Sequence, residues 1–151
     1  RFIVDNIFLR ISSNVGMYTF KLELDQNIPV IHINEFVIWE IFEPLIQNSI
    51  DHGGKRNLTV TIKSLYDPQE NTTQVIISDD GYGIMTDLLE KNKDGIKRIF
   101  LENTSTKKES GRNRGYGCFL AYRMAKERCC WDLDAGNLTE GGCQFIITIK
   151  N

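Results

Sequence analysis

The stretch from Leu58 to Ile84 constrains this chain more than any other. Leu58, Val60 and Ile62 alternate with polar residues, Tyr66 to Asn71 reads as a turn, and Val75-Ile76-Ile77 returns as the partner strand of a hairpin. A period of two marks half-buried strands, because successive side chains point to opposite faces of a sheet. The returning strand runs directly into Ser78-Asp79-Asp80-Gly81-Tyr82-Gly83-Ile84, two carboxylates followed by alternating glycines.

The rest of the chain reads around that hairpin. Val4 to Asn14 carries Ile7, Phe8 and Ile11 at helical spacing, with Gly16 as a stop. Tyr18, Phe20, Leu22 and Leu24 alternate as a strand, Asp25-Gln26-Asn27 turns, and Ile28 to Ile33 reads as a short apolar strand or extended segment. Asn34 caps a helix whose apolar face holds Ile38, Ile41, Phe42, Leu45 and Ser49, and Gly53-Gly54 ends it. Pro44 lies inside that helix and is expected to kink it, because it has no N–H to donate. Residues 85–101 look helical at both ends, and Glu102 to Asn113 is a polar, charged loop. A helix from about Gly117 to Arg128 precedes strands near Trp131–Asp134 and Cys143–Ile149. This order implies a two-layer α/β (α+β) sandwich, with helices on one face of a mixed, mainly antiparallel sheet. No linker, repeat or low-complexity tract divides it, so residues 1–151 are read as one domain.

Bulk properties exclude several classes. A net charge of −2 and a pI of about 5.7 give no basic field for nucleic acid or a membrane surface. No apolar run approaches the ~20 residues that span a bilayer, so no direct membrane insertion is expected of this stretch. Cys118, Cys129, Cys130 and Cys143 match no zinc spacing and read as free thiols of a reducing compartment. The chain begins at Arg1 without Met and reads as part of a longer protein.

Three segments carry chemistry, each with an ordinary alternative. At Asp79 a carboxylate could accept from an amino group such as that of adenine, while neighbouring glycines let a flat ring approach the backbone. Asp-Gly after a strand is equally a plain turn. In Glu43-Pro44-Leu45-Ile46-Gln47-Asn48-Ser49-Ile50-Asp51-His52, spacings of three and four put Asn48, Asp51 and His52 on one face. The Asn48 oxygen suits Mg²⁺, which favours a few protein oxygens plus phosphates, but it could instead cap a backbone group. Gly111-Arg112-Asn113-Arg114-Gly115-Tyr116-Gly117 leads into a helix whose first N–H groups could bind phosphate, with Lys107 and Lys108 upstream. A solvated loop would look the same. The spacing matches neither the dinucleotide nor the Walker glycine pattern.

Together the three segments resemble the GHKL superfamily of gyrase, heat-shock chaperone, histidine kinase and MutL ATPases, most of all the catalytic ATP-binding domain of sensor histidine kinases. Residues 43–53 are similar to the N box in its Q-P-L-V-E-N-A-I-K-H-G form, and residues 79–84 match D-N-G-x-G-I. Ile99-Phe100-Leu101-Glu102 with Thr104 to Lys107 resembles the box that opens an ATP lid. Gly115-Tyr116-Gly117-Cys118 aligns with G-L-G-L, and Gly141-Gly142-Cys143-Gln144-Phe145 with G-G-T-x-F. The resemblance implies ATP and Mg²⁺ as cofactors, Asp79 on adenine and Asn48 on the metal. It further implies a nucleotide site of Asn48, Asp51, His52, Asp79, Gly81, Gly83, Ile84, Lys107, Arg114, Gly115, Tyr116 and Gly117, with a mobile lid from about Met85 to Arg114.

Departures from the family pattern qualify the chemistry. Asp51 stands where many kinases carry Lys, and Lys55, Lys107 or Arg114 could compensate. Pro44 stands where the hydrolysing branches place a general-base Glu, and Glu43 next door is rotated about 100° around the helix. Glu43 and Lys107 are the only catalytic candidates. Neither His32 nor His52 sits in an H-E-x-x-x-P context. The resemblance therefore implies a phosphoacceptor and dimerisation domain before Arg1, a response regulator downstream, and a cytoplasmic setting in a parent that could be membrane-anchored. The rival readings are an anti-sigma-type protein serine kinase and a non-catalytic nucleotide- or partner-binding module.

Overall fold

The computed structural model describes residues 17–54, 56–102 and 117–151. Their strands are β1 (Met17–Glu23), β2 (Asn57–Asp67), β3 (Thr72–Asp79), β4 (Asp132–Asn137) and β5 (Cys143–Lys150). They form one sheet in the order β1-β2-β3-β5-β4, parallel only between β1 and β2 and antiparallel elsewhere. The register aligns Leu22, Ile62, Ile77, Phe145 and Ala135 in one row across all five strands. That row faces the helices. Ile77 and Phe145 are fully buried at its centre.

The helical layer is α1 (Glu43–His52) and α2 (Gly117–Arg123). It covers the row with Ile41, Phe42, Leu45, Ile46, Cys118 and Ala121, all buried. The opposite face carries Thr59, Thr61, Lys63, Gln74, Gln144 and Thr148, none of them buried, so the sandwich has two layers. Among the described residues, no helix is long and apolar enough to cross a membrane.

At Pro44 the expected helix is not one regular run. A wide π turn, Ile38–Phe42, runs straight into α1, with the Glu43 N–H reaching back to the Ile38 carbonyl. Pro44 then falls in the first turn of α1, where the backbone N–H groups of a helix are unsatisfied anyway. A second π turn, Met124–Arg128, extends α2. Asn34 does act at the helix entry, its side-chain oxygen accepting from the Phe36 N–H at 3.3 Å.

Of the two readings of Ile28 to Ile33, the strand does not form: Pro29 cannot donate to a ladder, and Val30 is 84% exposed while Ile31 packs on the core. Residues 85–101 are helical at both ends, as expected, in single 3₁₀ turns at Thr86–Leu89 and Arg98–Phe100. Between them Asn92 accepts from the Asp94 and Ile96 N–H groups, and Lys91 pairs with Lys97 across a tight turn. That turn breaks the helical pattern. The helix expected from Val4 to Asn14 lies outside the described residues.

Charged pairs line the two outer strands. Lys21 meets Glu23 on β1 at 2.7 Å, Lys97 meets Asp134 on β4 at 2.8 Å, and Lys126 holds Asp132. The Lys126 hydrogen bond keeps the Asp132 carboxyl below its ordinary value.

Candidate functional site

The period of two that buries Ile77 continues to Asp79, which is only 4% exposed at the end of β3. Its Oδ1 accepts from the Gly81 N–H at 2.9 Å, and its Oδ2 from the Cys143 thiol at 3.2 Å. Burial, followed by the adjacent Asp79 carboxylate, pushes the Cys143 thiol far above its usual range, so it stays a neutral donor. A carboxylate offers about four acceptor positions, and among the described residues these two donors fill only part of them.

Backbone packs directly on backbone around that carboxylate. Gly142 has φ +87°, and a Cβ there would overlap the Asp79 carbonyl. Gly81 lies against the end of α1, where a Cβ would run into the Gly53 backbone, and the Tyr82 N–H donates to the Gly53 carbonyl at 3.0 Å. Both glycines permit approaches that no side chain would allow. Asp80 behaves unlike its neighbour. It is exposed, and its Oδ1 accepts from the Thr59 N–H at 2.8 Å, tying the turn to β2. Ile84 is held by Asn137, whose Oδ1 accepts from the Ile84 N–H and whose Nδ2 donates to the Ile84 carbonyl, both at 2.7 Å.

On α1, Asn48 is half-buried while Asp51 and His52, toward the helix end, are exposed. Among the described residues nothing hydrogen-bonds the Asn48 carboxamide, so it caps no neighbouring backbone group. Asp51 accepts from Gln47 Nε2 at 2.9 Å. Next to Asn48, Ser49 is 1% exposed and its hydroxyl has no partner. Glu43 is half-buried at the start of α1.

The glycine-rich segment is described only from Gly117, the first residue of α2. A Cβ on Gly117 would touch Pro44 Cβ at 3.4 Å, so this residue sets the two helices close together. Stacking of Phe100 on Tyr122, centroids 4.8 Å apart, ties the second 3₁₀ turn to the same helix. Lys55, Lys107, Lys108, Arg112, Arg114, Gly115 and Tyr116 lie outside the described residues. The structure thus sets Gly81 against the end of α1, beside Asp79, and Gly83 and Ile84 against Asn137. Sequence reasoning missed Cys143 as a partner of Asp79, and it read Asn137 only as part of the connection between the last two strands. Cys143 stood in a recognisable G-G-x-x-F strand, but nothing local announced Asn137.

A single helical layer over a mixed five-stranded sheet is also the fold of solved histidine kinase catalytic domains. The catalytic domain of the histidine kinase ThkA superposes with a TM-score of 0.74 at 18% identity, covering 98% of this chain and 90% of that one. The mycobacterial sensor histidine kinase MprB gives 0.71 at 14% identity, covering 97% and 91%. Full-length ShkA in complex with AMPPNP gives 0.73 at 14% identity, and this chain spans 29% of its length. No curated protein sequence matches the chain. The model of the histidine kinase-, DNA gyrase B- and HSP90-like ATPase family matches residues 34–151, and the chain belongs to that family.

Proposed function

We propose that this chain is the ATP- and Mg²⁺-binding catalytic domain of a two-component sensor histidine kinase. The observation that carries the reading is the buried Asp79 carboxylate, with acceptor positions that, among the described residues, only Gly81 and Cys143 fill in part. A buried carboxylate needs donors, and the exocyclic amine of adenine is one. Gly81 and Gly142 keep side chains away from the backbone beside it.

The residues also fit a metal-bound polyphosphate. Asn48 presents a half-buried carboxamide with no hydrogen-bond partner among the described residues, on the same helix that ends against the Asp79 turn. Among the described residues no cluster of His, Cys, Asp or Glu forms a metal cage. One protein oxygen plus phosphates is the way Mg²⁺ is commonly held. Bound Mg²⁺-ATP supplies the γ-phosphoryl group for a histidine on a separate dimerisation domain of the parent protein. Asp79 selects the base, Asn48 orients the metal, and Gly115 to Gly117 with Lys107 or Arg114 approach the phosphates. Asp51, which accepts from Gln47 Nε2, and His52 stand one turn further along the same helix. The work of such a site is positioning and charge neutralisation. The superposition on ShkA in complex with AMPPNP supports this reading.

Calorimetry of Mg²⁺-ATP binding to Asp79→Asn tests it. Replacing a charged acceptor by a neutral amide should weaken binding by roughly ten- to a hundredfold. Unchanged affinity in a folded variant sinks the assignment.

A further inference from the structure

The turn after Asp79 has one end built into the sheet and one end outside it. Asp79 closes β3, whereas Ile84, five residues on, belongs to no strand. Ile84 is nevertheless bonded through both its N–H and its carbonyl, each at 2.7 Å, to the side chain of Asn137, 53 residues away. A carboxamide offers an acceptor and a donor on one rigid plane, so it can stand in for the peptide group of a neighbouring strand. Two parallel bonds into one residue set its orientation as well as its place. Asn137 is itself anchored as the last residue of β4, paired in register with Cys143, the residue whose thiol holds Asp79. Asp79, Cys143, Asn137 and Ile84 thus form one continuous chain of contacts, closed by the backbone from 79 to 84.

We infer that Asn137 is a positioning residue of the nucleotide site, acting through Ile84 to set the path of Gly81 to Gly83 beside Asp79. This rests on the nucleotide reading proposed above. Without the latch the turn keeps its hold at Asp79, at Asp80 on β2 and at Tyr82, whose N–H meets the Gly53 carbonyl, and among the described residues loses the hydrogen bonds at its Ile84 end. The backbone that flanks the base then moves, although Asp79 keeps its own partners.

Two variants of the full chain test this. Asn137→Ala removes both bonds. Asn137→Asp is a titratable stand-in: its neutral carboxyl keeps one donor and one acceptor, while the carboxylate loses the donor and faces the Ile84 carbonyl. Hydrogen exchange at the Ile84 amide, read without nucleotide, should speed up by tenfold or more on the order of a lost hydrogen bond in Asn137→Ala, with Ile77 unchanged. Mg²⁺-ATP affinity should fall roughly five- to tenfold in Asn137→Ala. In Asn137→Asp, affinity relative to the parent at the same pH should be low near pH 7 and recover as pH falls toward the ordinary carboxyl range of about 4. A merely structural asparagine would give no such pH dependence in the ratio. Faster Ile84 exchange with unchanged ATP affinity in Asn137→Ala overturns the inference, as does a pH-independent ratio in Asn137→Asp. A parent chain that binds no ATP overturns the nucleotide reading itself, an outcome distinct from either of these.

Discussion

The sheet turns its chain by different means at its two ends. At the Asp79 end backbones touch, and Gly142 and Gly81 sit where a Cβ would strike the Asp79 and Gly53 backbones. At the far end the work is done by side chains. Asp67 accepts from the Gln69 and Glu70 N–H groups in the hairpin turn. Asn71, at φ +48°, donates to the Asn151 carbonyl at 3.0 Å and receives the Tyr66 hydroxyl. Asp25 accepts from the Asn27 and Tyr66 N–H groups, closing β1 onto β2. Side-chain turns can be altered piecemeal, but a backbone contact admits no substitute. The end that carries the carboxylate is the unforgiving one.

The largest effect expected from that contrast is at Gly142. Gly142→Ala forces a Cβ onto the Asp79 carbonyl in a left-handed conformation, and should lower unfolding free energy by about 3 kcal/mol or more. Urea unfolding followed by circular dichroism reads it, and a loss below about 1 kcal/mol would remove the distinction between the two ends. A much smaller loss is expected from Asn71→Gly. Glycine accepts the positive φ, so only exposed side-chain bonds disappear, and the cost should stay within about 1 kcal/mol with ATP affinity unchanged. If that variant weakened ATP binding, the ends would be coupled.

The smallest effect concerns pH. The Asn27 and Tyr66 N–H groups hold the Asp25 carboxyl below its ordinary value. Its contribution to stability is therefore present above about pH 4, the unfolded value, and is lost as pH falls through the lower folded-state value. Urea midpoints of Asp25→Asn should accordingly fall less steeply than those of the parent as pH drops below about 4. Parallel acid limbs would show that Asp25 does not lock the far end.

Much of this was legible in the chain itself. The strands followed from alternation, and the same alternation, continued two residues past Ile77, puts Asp79 on the buried face. The helix that carries Asn48, Asp51 and His52 followed from the spacing of its apolar residues. What stayed hidden depended on contacts between distant residues. The Cys143 thiol reaches Asp79 across 64 positions and Asn137 reaches Ile84 across 53, so no local pattern could show either. A proline predicts a missing hydrogen bond but not how the preceding turn will be wound, and here Ile38–Phe42 forms one wide turn before α1. Between Met85 and Leu101 the two helical ends were legible, but not the tight turn that Asn92 closes between them.

The charged pairs on β1 and β4 bear on a hazard remote from nucleotide chemistry. Exposed ion pairs such as Lys21–Glu23 add little to folding free energy. Their value lies in what they discourage. These are the outermost strands of the described sheet, each with a row of backbone donors and acceptors that the sheet does not use. A second molecule that zipped onto β4 would have to desolvate Asp132 and Asp134 and disturb their lysines. Charges placed along a border in this way resist edge-to-edge aggregation while leaving the protein's own packing untouched.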